Sequence, residues 1–359
     1  MVQNKALIFK EVPEGLPVPG KDLVVETREF DINQTPPAGG VITKNFYASL
    51  DPYQRGRLRS PEVKSYTPPY TLGEPINNNV VAKIIKSDNP KYKAGDLVTG
   101  TLTFEEYSVA SKEIVEATFR KIDNQYNLDL KVFTGALGMP GLTAYSSFYE
   151  IGKPEKGETI FISAASGAVG QLVGQLAKQA GLRVIGSVGS DEKLDFIIKE
   201  LNFDGGFNYK KEKPLDALKR LAPEGIDIYY ENVGGEQLQA AIECMNNFGR
   251  IIACGMVSEY SKPADQKYGI TNLMLVVSKR LTMRGFIQGD KNMGPVYREE
   301  RDKNFSKWIH DGTIKVQMSV TEGLDNAAEG FVGMLQGKNF GKAVLKIADP
   351  EVRIESHKL

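Results

Sequence analysis

Side chains able to hold a metal or attack a carbonyl are scarce in this sequence. Cys244 and Cys254 are the two cysteines, and His310 and His357 the two histidines, in 359 residues. A structural zinc site needs four Cys/His ligands and a catalytic one usually three, so these four residues predict no metal centre. His310 lies in "KWIHDGT", the expected end of a helix, where a cation suits the negative pole better than it would serve a triad. Cys254 ends a short apolar run and reads as a small buried residue rather than a nucleophile. The stretch that does suggest chemistry is "SAASGAVG", which contains Ala165-x-Gly167-x-x-Gly170 between a strand and a helix. Gly167 allows close approach of backbone to a pyrophosphate, and Gly170 lets the helix pack on its strand. The helix that begins after the turn Gly167, Ala168, Val169 and Gly170 offers unpaired N–H groups and a partial positive charge at its N-terminus.

The end of the next strand bears on which dinucleotide fits. NAD sites usually place Asp or Glu there, on the ribose 2′-hydroxyl. Here the segment reads "SVGSDEK", and its acids Asp191 and Glu192 open a helix, a position that favours negative charge. Ser190 is able to donate to a phosphate and Lys193 to face one as a point charge. A solvated Lys193 competes with this reading. The expectation is NADPH (NADP when oxidised) rather than NADH.

Positioning such a site takes an alternating series of strands and helices. "ETIFISAA" is a short apolar strand, and "AVGQLVGQLAKQAG" a helix with apolar residues at 169, 172, 173, 176, 177 and 180, closed by Gly181. "RVIGSV", "GGFNY", "IDIYYENV", "GRIIACG" and "RLTMRGFI" continue as strands, with helices at "DEKLDFIIKEL", "EQLQAAIECM" and roughly 296–311. This pattern predicts an α/β chain with a doubly wound parallel sheet. Before it, "DLVVETREF", "GGVITKNFYASL", "NNVVAKIIKSD" and "KAGDLVTG" predict a β-rich domain like a distorted barrel, with long loops over 51–76. The closing "GKNFGKAVLKIAD" predicts a strand returning to that domain. The expected division is 1–130 with 312–359 for the β-rich unit, and 131–311 for the Rossmann unit.

Lys and Arg number 45, as do Asp and Glu, which disfavours nucleic acid and anionic membranes as partners. Apolar runs such as "NLMLVVSK" are too short to span a bilayer. The opening "MVQNKALIFKEVPEG" lacks an apolar signal core, and two cysteines fit a reducing compartment, so the expected location is cytoplasmic. "SHKL" at the C-terminus only loosely matches a peroxisomal ending, since His357 stands where a small residue is wanted.

The segments "DPYQRGRL", "GMPGLTAY", "AASGAVG", "SDEK", "FNYK", "ENVGG", "FGRIIACGMVSEY" and "GKNFGK" occur in an order that resembles the zinc-independent medium-chain dehydrogenase/reductases. More narrowly, the chain resembles the NADPH-dependent double-bond reductases acting on alkenals and prostaglandins. The resemblance implies a GroES-like catalytic domain beside the Rossmann domain. It implies that Lys193 and Tyr209 approach the adenosine 2′-phosphate. It places Asn232, the run Cys254, Gly255, Met256, Val257, Ser258 to Tyr260, and Phe286, Ile287 and Gln288 along the nicotinamide half. Asn339 would reach back from the C-terminal segment. Without the resemblance, Asn232 before two glycines is also an ordinary turn residue, and Tyr260 and Tyr53 are also ordinary loop aromatics.

The implied reaction is reduction of an α,β-unsaturated aldehyde or ketone. With no metal to act as Lewis acid, hydrogen-bond donors must stabilise the enolate. Tyr260 is the expected principal donor and Tyr53 a second substrate contact from the other domain. Tyr66, Tyr70 and Met256 are expected as pocket walls, while Arg55, Arg57 and Arg59 are read as solvated or ion-paired. A quinone reductase of the same superfamily and a non-catalytic NADPH-binding protein are the rival expectations. The edge strand "RLTMRGFI" makes a homodimer the expected assembly.

Overall fold

The computed structural model describes residues 1–350; the "SHKL" ending and His357 lie outside them. The chain opens with β1 (Val2–Phe9) and β2 (Leu23–Phe30), an antiparallel pair. β3 (Val41–Ser49), β4 (Asn77–Ser87), β5 (Leu97–Thr103), β6 (Tyr107–Ala110), a short helix α1 (Lys112–Thr118) and β7 (Arg120–Lys121) follow. Helix α2 (Met139–Ser147) then leads to β8 (Thr159–Ile162), α3 (Gly170–Gln179) and β9 (Arg183–Val188). Next come α4 (Asp191–Asp195), continued as one π-type turn, then β10 (Gly205–Asn208), α5 (Pro214–Leu221) and β11 (Ile226–Glu231). α6 (Gly235–Cys244), β12 (Met245–Ala253), α7 (Met274–Ser278), β13 (Thr282–Gly285) and α8 (Gly294–His310) complete the middle region. The chain closes on β14 (Met318–Glu322), α9 (Ala327–Leu335) and β15 (Lys342–Lys346).

Among the described residues, β8 to β13 form one sheet in the order β10-β9-β8-β11-β12-β13, and every pairing in it is parallel. The order reverses beside β8, so the crevice at the carboxyl ends of β8 and β11 is the place where such sheets take ligands. α3 covers this sheet with Leu172, Val173, Leu176 and Ala177, all 0–1% exposed. Burying one such aliphatic side chain contributes about 1.5–3 kcal/mol, enough to fix the helix on its strand. Gly181 follows it at φ +81°, the left-handed stop that glycine takes without strain.

The second large sheet runs β14-β15-β3-β4-β5-β7, with β6 added on β3. β15 is parallel to β14 and antiparallel to β3, so a strand from the end of the chain sits inside a sheet begun by residue 41. The expected return of the C-terminal strand is therefore observed. The sequence reading missed β1, β6, α1, β7, α2, α7, β14 and α9. It also read 51–76 as loop, although Pro52–Arg57 forms a 3₁₀ helix. No described helix is long and apolar enough to cross a membrane.

The arginines of this segment require a correction. Arg55 and Arg57 are each 9% exposed and are not solvated. Arg55 donates to the carbonyls of Gly15 and Pro13, and Arg57 to those of Pro68 and Asn77. Arg59 binds the carbonyls of Gly56, Val63 and Thr67. All three staple loops. Tyr70, expected as a pocket wall, is instead core: it is 4% exposed, lies under the Arg57 guanidinium and donates to Asn77 O at 2.7 Å.

Candidate active site

The turn after β8 is held by Gly167 N–H on Ala164 O at 2.9 Å and Gln171 N–H on Gly167 O at 3.1 Å. No side chain caps α3, so its N-terminal face retains donors for an anion. A Cβ on Gly170 would lie 2.5 Å from Ala164 O and 2.8 Å from the Ala165 Cα, both backbone atoms. Glycine there lets the turn fold back tightly enough to leave a cradle. Gly167 also forms an isolated bridge with Gly341, just before β15. Gly341 has φ +75°, and a Cβ on it would strike Gln317 O at 2.0 Å. Asn339, the expected C-terminal contributor, donates to Gly341 O at 2.6 Å and shapes this crossing.

At the end of β9, Ser190 caps α4 by accepting from Lys193 N–H at 3.3 Å. The Lys193 ammonium donates to Gly337 O at 2.7 Å. Burial, and then repulsion by Lys210, lower its pKa, against a smaller pull from Glu192. A partly desolvated ammonium beside a second cation fits a dianionic phosphate. Tyr209 leans over Gly189, where a Cβ would lie 3.0 Å from its hydroxyl oxygen. Asp191, the nearest acid at the strand end, is engaged elsewhere, by Asn208 Nδ2 at 2.9 Å and by Lys211. Ser190, Lys193 and Tyr209 are thus brought together, and Lys210 is a member that spacing did not single out.

At the opposite end of the crevice, the loops after β11 and β12 are zipped together. Cys254 N–H and Gly255 N–H both donate to Glu231 O at 3.0 Å, Val257 N–H to Asn232 O at 3.1 Å, and Ser258 N–H to Val233 O at 3.0 Å. The Asn232 amide donates to Ser163 O at 2.7 Å, which joins this loop to the end of β8. Glu231, missed in the sequence, is fully buried. Its Oε1 accepts from Val233 N–H at 2.6 Å, Gly234 N–H at 2.8 Å and the Tyr229 hydroxyl at 2.9 Å. Burial raises its carboxyl above the usual range in spite of those bonds. The Cys254 thiol is pushed up to about 12, chiefly by burial, which suits the reading of an inert residue.

Tyr260 follows a single 3₁₀ turn that aims its ring back at this loop. Its hydroxyl oxygen accepts from Met256 N–H at 3.2 Å. No acceptor for its own proton is found among the described residues. Burial raises its pKa to about 12, with smaller contributions from Cys254, Tyr66 and Glu231. Tyr66, from the loop after the 3₁₀ helix, is therefore a neighbour of the site, although its side chain is 63% exposed. Tyr53 is differently engaged: its hydroxyl donates to Asn78 Oδ1 at 2.8 Å, and burial raises its pKa. No hydrogen bond joins Tyr53 to Tyr260. Phe286 packs on the core beside α8, Ile287 is 41% exposed, and Gln288 O accepts from Gly294 N–H at 3.0 Å. Among the described residues, no group of three or more His, Cys, Asp or Glu side chains is placed to hold a metal ion.

A parallel sheet with a glycine cradle at its switch point, joined to a mainly antiparallel sheet, defines a nucleotide-dependent oxidoreductase fold. Comparisons with known proteins agree. Residues 5–118 match the N-terminal domain of oxidoreductase and residues 168–302 match the zinc-binding dehydrogenase model. An NADP-dependent oxidoreductase of Cochliobolus heterostrophus is 57% identical over 349 residues, 97% of this chain and 99% of its own. A 2-alkenal reductase (NADP(+)-dependent) of Nicotiana tabacum is 43% identical over 97% of this chain and 98% of its own. The crystal structure of CurA from Vibrio vulnificus in complex with NADPH has a TM-score of 0.87 at 31% identity, covering 96% of this chain and 100% of CurA. The chain belongs to the medium-chain dehydrogenase/reductase family.

Proposed function

We propose that this oxidoreductase uses NADPH to reduce the carbon–carbon double bond of α,β-unsaturated aldehydes and ketones. The observation that carries the reading is the state of Tyr260. Its oxygen is occupied by Met256 N–H while its own O–H has no acceptor among the described residues, so the phenol is free to donate. The resemblance in sequence to a 2-alkenal reductase supports the substrate class. The Ser190, Lys193 and Tyr209 cluster supports a 2′-phosphate, with the pyrophosphate on residues 167–170.

When bound, the dinucleotide would supply a hydride to the substrate's β-carbon, and water the proton that completes the α-carbon. The protein's share is position and charge. Tyr260 donates to the carbonyl oxygen and strengthens that bond as negative charge gathers there. A phenol with a pKa near 12 stays neutral, and so stays a donor, across the working pH range. Tyr53 has committed its proton to Asn78, so a contact with substrate would be made by its ring and not by donation from its hydroxyl. Asn232, residues 254–258, Phe286 to Gln288 and Asn339 would hold the nicotinamide half. The cleft would lie between a β-rich unit (1–130 with 312–359) and a Rossmann unit (131–311).

The exposed edge strand β13 and the nearby exposed Leu273, Met274, Val277 and Met283 support a homodimer formed across that edge. The test of function is NADPH oxidation over graded enals, cyclic enones and quinones, with product analysis. Saturated carbonyl products are expected; exclusive quinone turnover or allylic alcohol products would overturn the assignment.

A further inference from the structure

Two buried glutamines on α3 have no part in the scheme above. Gln171 and Gln175 are 1% and 7% exposed, four residues apart on the helix that starts at the glycine turn. Each pairs with one residue of the segment leading into β14. Gln171 Nε2 donates to Gln317 O at 3.0 Å, and Gln171 Oε1 accepts from Gln317 N–H at 2.8 Å. Gln175 repeats the pattern on Lys315, at 2.9 and 2.8 Å. The spacing explains why two such pairs form. Four residues of helix advance about 6 Å, close to the roughly 6.6 Å covered by two residues of extended chain. A carboxamide carries a donor group and an acceptor in one plane, the complement of one residue's C=O and N–H. α3 therefore receives this segment much as a neighbouring strand would.

The two pairs differ in what lies beyond them. Gln317 O also accepts from Lys342 N–H at 2.9 Å, and it is the atom that a Cβ on Gly341 would strike. Gly341 bridges Gly167 in the turn, and Gln171 N–H closes the same turn on Gly167 O. Past this crossing, the buried Lys342 ammonium is anchored on Leu50 O and Asp51 Oδ1, so the strand cannot slide away. The Lys315 pair leads instead to a surface ion pair with Glu200. On the reading of residues 167–170 as the seat of the pyrophosphate, we infer that Gln171 is a positioning residue for the dinucleotide. Gln171 sets Gln317, and Gln317 sets where residues 339–341 cross the glycine turn. Gln175 makes the same kind of pair but holds helix to chain and nothing more.

The test compares Gln171→Met with Gln175→Met, which remove the same kind of pair one helical turn apart. Fluorescence titration should show the Kd for NADPH raised about tenfold in the first, the worth of one hydrogen bond to a charged group. In the second it should stay within about twofold of the parent, as for a site with no shared partner. Adenosine 2′-monophosphate, which lacks the pyrophosphate, should keep its affinity within about twofold in both variants. Thermal unfolding should fall by similar amounts in the two, because each loses a buried pair. Equal NADPH affinities in the two variants, or a loss shared by adenosine 2′-monophosphate, would overturn the inference. Amide exchange in the parent needs no variant to fold: NADPH should slow the Gln317 and Lys342 amides and leave Lys315 unchanged. Slowing that is absent, or equal at all three, would also overturn it. An NADPH affinity that survives Gly170→Ala refutes the reading of the turn itself, a result distinguishable from the others.

Discussion

Replacing Tyr260 with Phe removes one hydroxyl and leaves the ring in place. The hydroxyl plays two parts, and the structure separates their sizes. Its oxygen accepts a long bond, 3.2 Å, from Met256 N–H, whose loss costs about 1 kcal/mol of folding stability. Its free O–H is the proposed donor to the oxygen that gains charge. Losing one such donor costs about 100- to 1,000-fold in turnover, and the partial exposure of Tyr260 puts this case at the lower limit, about 100-fold or ~2.7 kcal/mol. The effect on catalysis should therefore be about two to three times that on stability, in free energy. The assay is single-turnover oxidation of bound NADPH by a small enal, with thermal unfolding measured in parallel. Because burial pushes the phenol up to about 12, the parent enzyme should show no rate inflection from this group between pH 6 and 9. A variant retaining more than about a third of the parent rate, or losing only NADPH affinity, would refute the argument.

Lys193→Ala should cut kcat/KM for NADPH by about 10- to 100-fold while leaving NADH within about twofold, since it removes a charge-assisted contact to the 2′-phosphate alone; steady-state kinetics with both reductants checks this. Gly170→Ala should weaken NADPH binding by more than about tenfold and cost ~1–3 kcal/mol of stability, because the added carbon meets backbone that cannot swing aside. Fluorescence titration and denaturant unfolding measure the two effects. At pH 8 a thiol with a pKa of about 12 is only about one part in 10,000 ionised. Iodoacetamide should therefore modify native Cys254 about a thousandfold more slowly than it modifies a free cysteine with an ordinary pKa of about 8.5; mass spectrometry of native and unfolded protein reads the ratio.

The Rossmann half was the more legible in sequence because its strands are short, apolar and separated by capped helices. "RVIGSV" coincides with β9 residue for residue. α9 escaped because "AAEGFVGML" carries two glycines and reads as loop; Gly330 is there because a Cβ would lie 2.4 Å from the Thr321 hydroxyl of β14. β14 escaped with it, its alternation being half-exposed on both faces. After Val2, β1 runs through the polar Gln3, Asn4 and Lys5 and declares itself only in its last four residues, Ala6 to Phe9, which are buried. In the site, residue type misled where burial reversed its usual meaning. Arg55, Arg57 and Lys342 look like surface charge in one dimension, and only the fold surrounds them with carbonyls and a carboxylate. Glu231 was hidden for the same reason.

The place of β15 between β14 and β3 sets a schedule for biosynthesis. The ribosome releases β3 and β4 early, but the strand that must lie against β3 is nearly the last to appear. At about 5–20 residues per second, the intervening stretch of roughly 300 residues takes on the order of 15–60 s to make. During that interval β3 presents an unpaired apolar margin to every other nascent chain nearby. The part of β3 left waiting is Tyr47 to Ser49, and a variant truncated before residue 342 would never supply its partner.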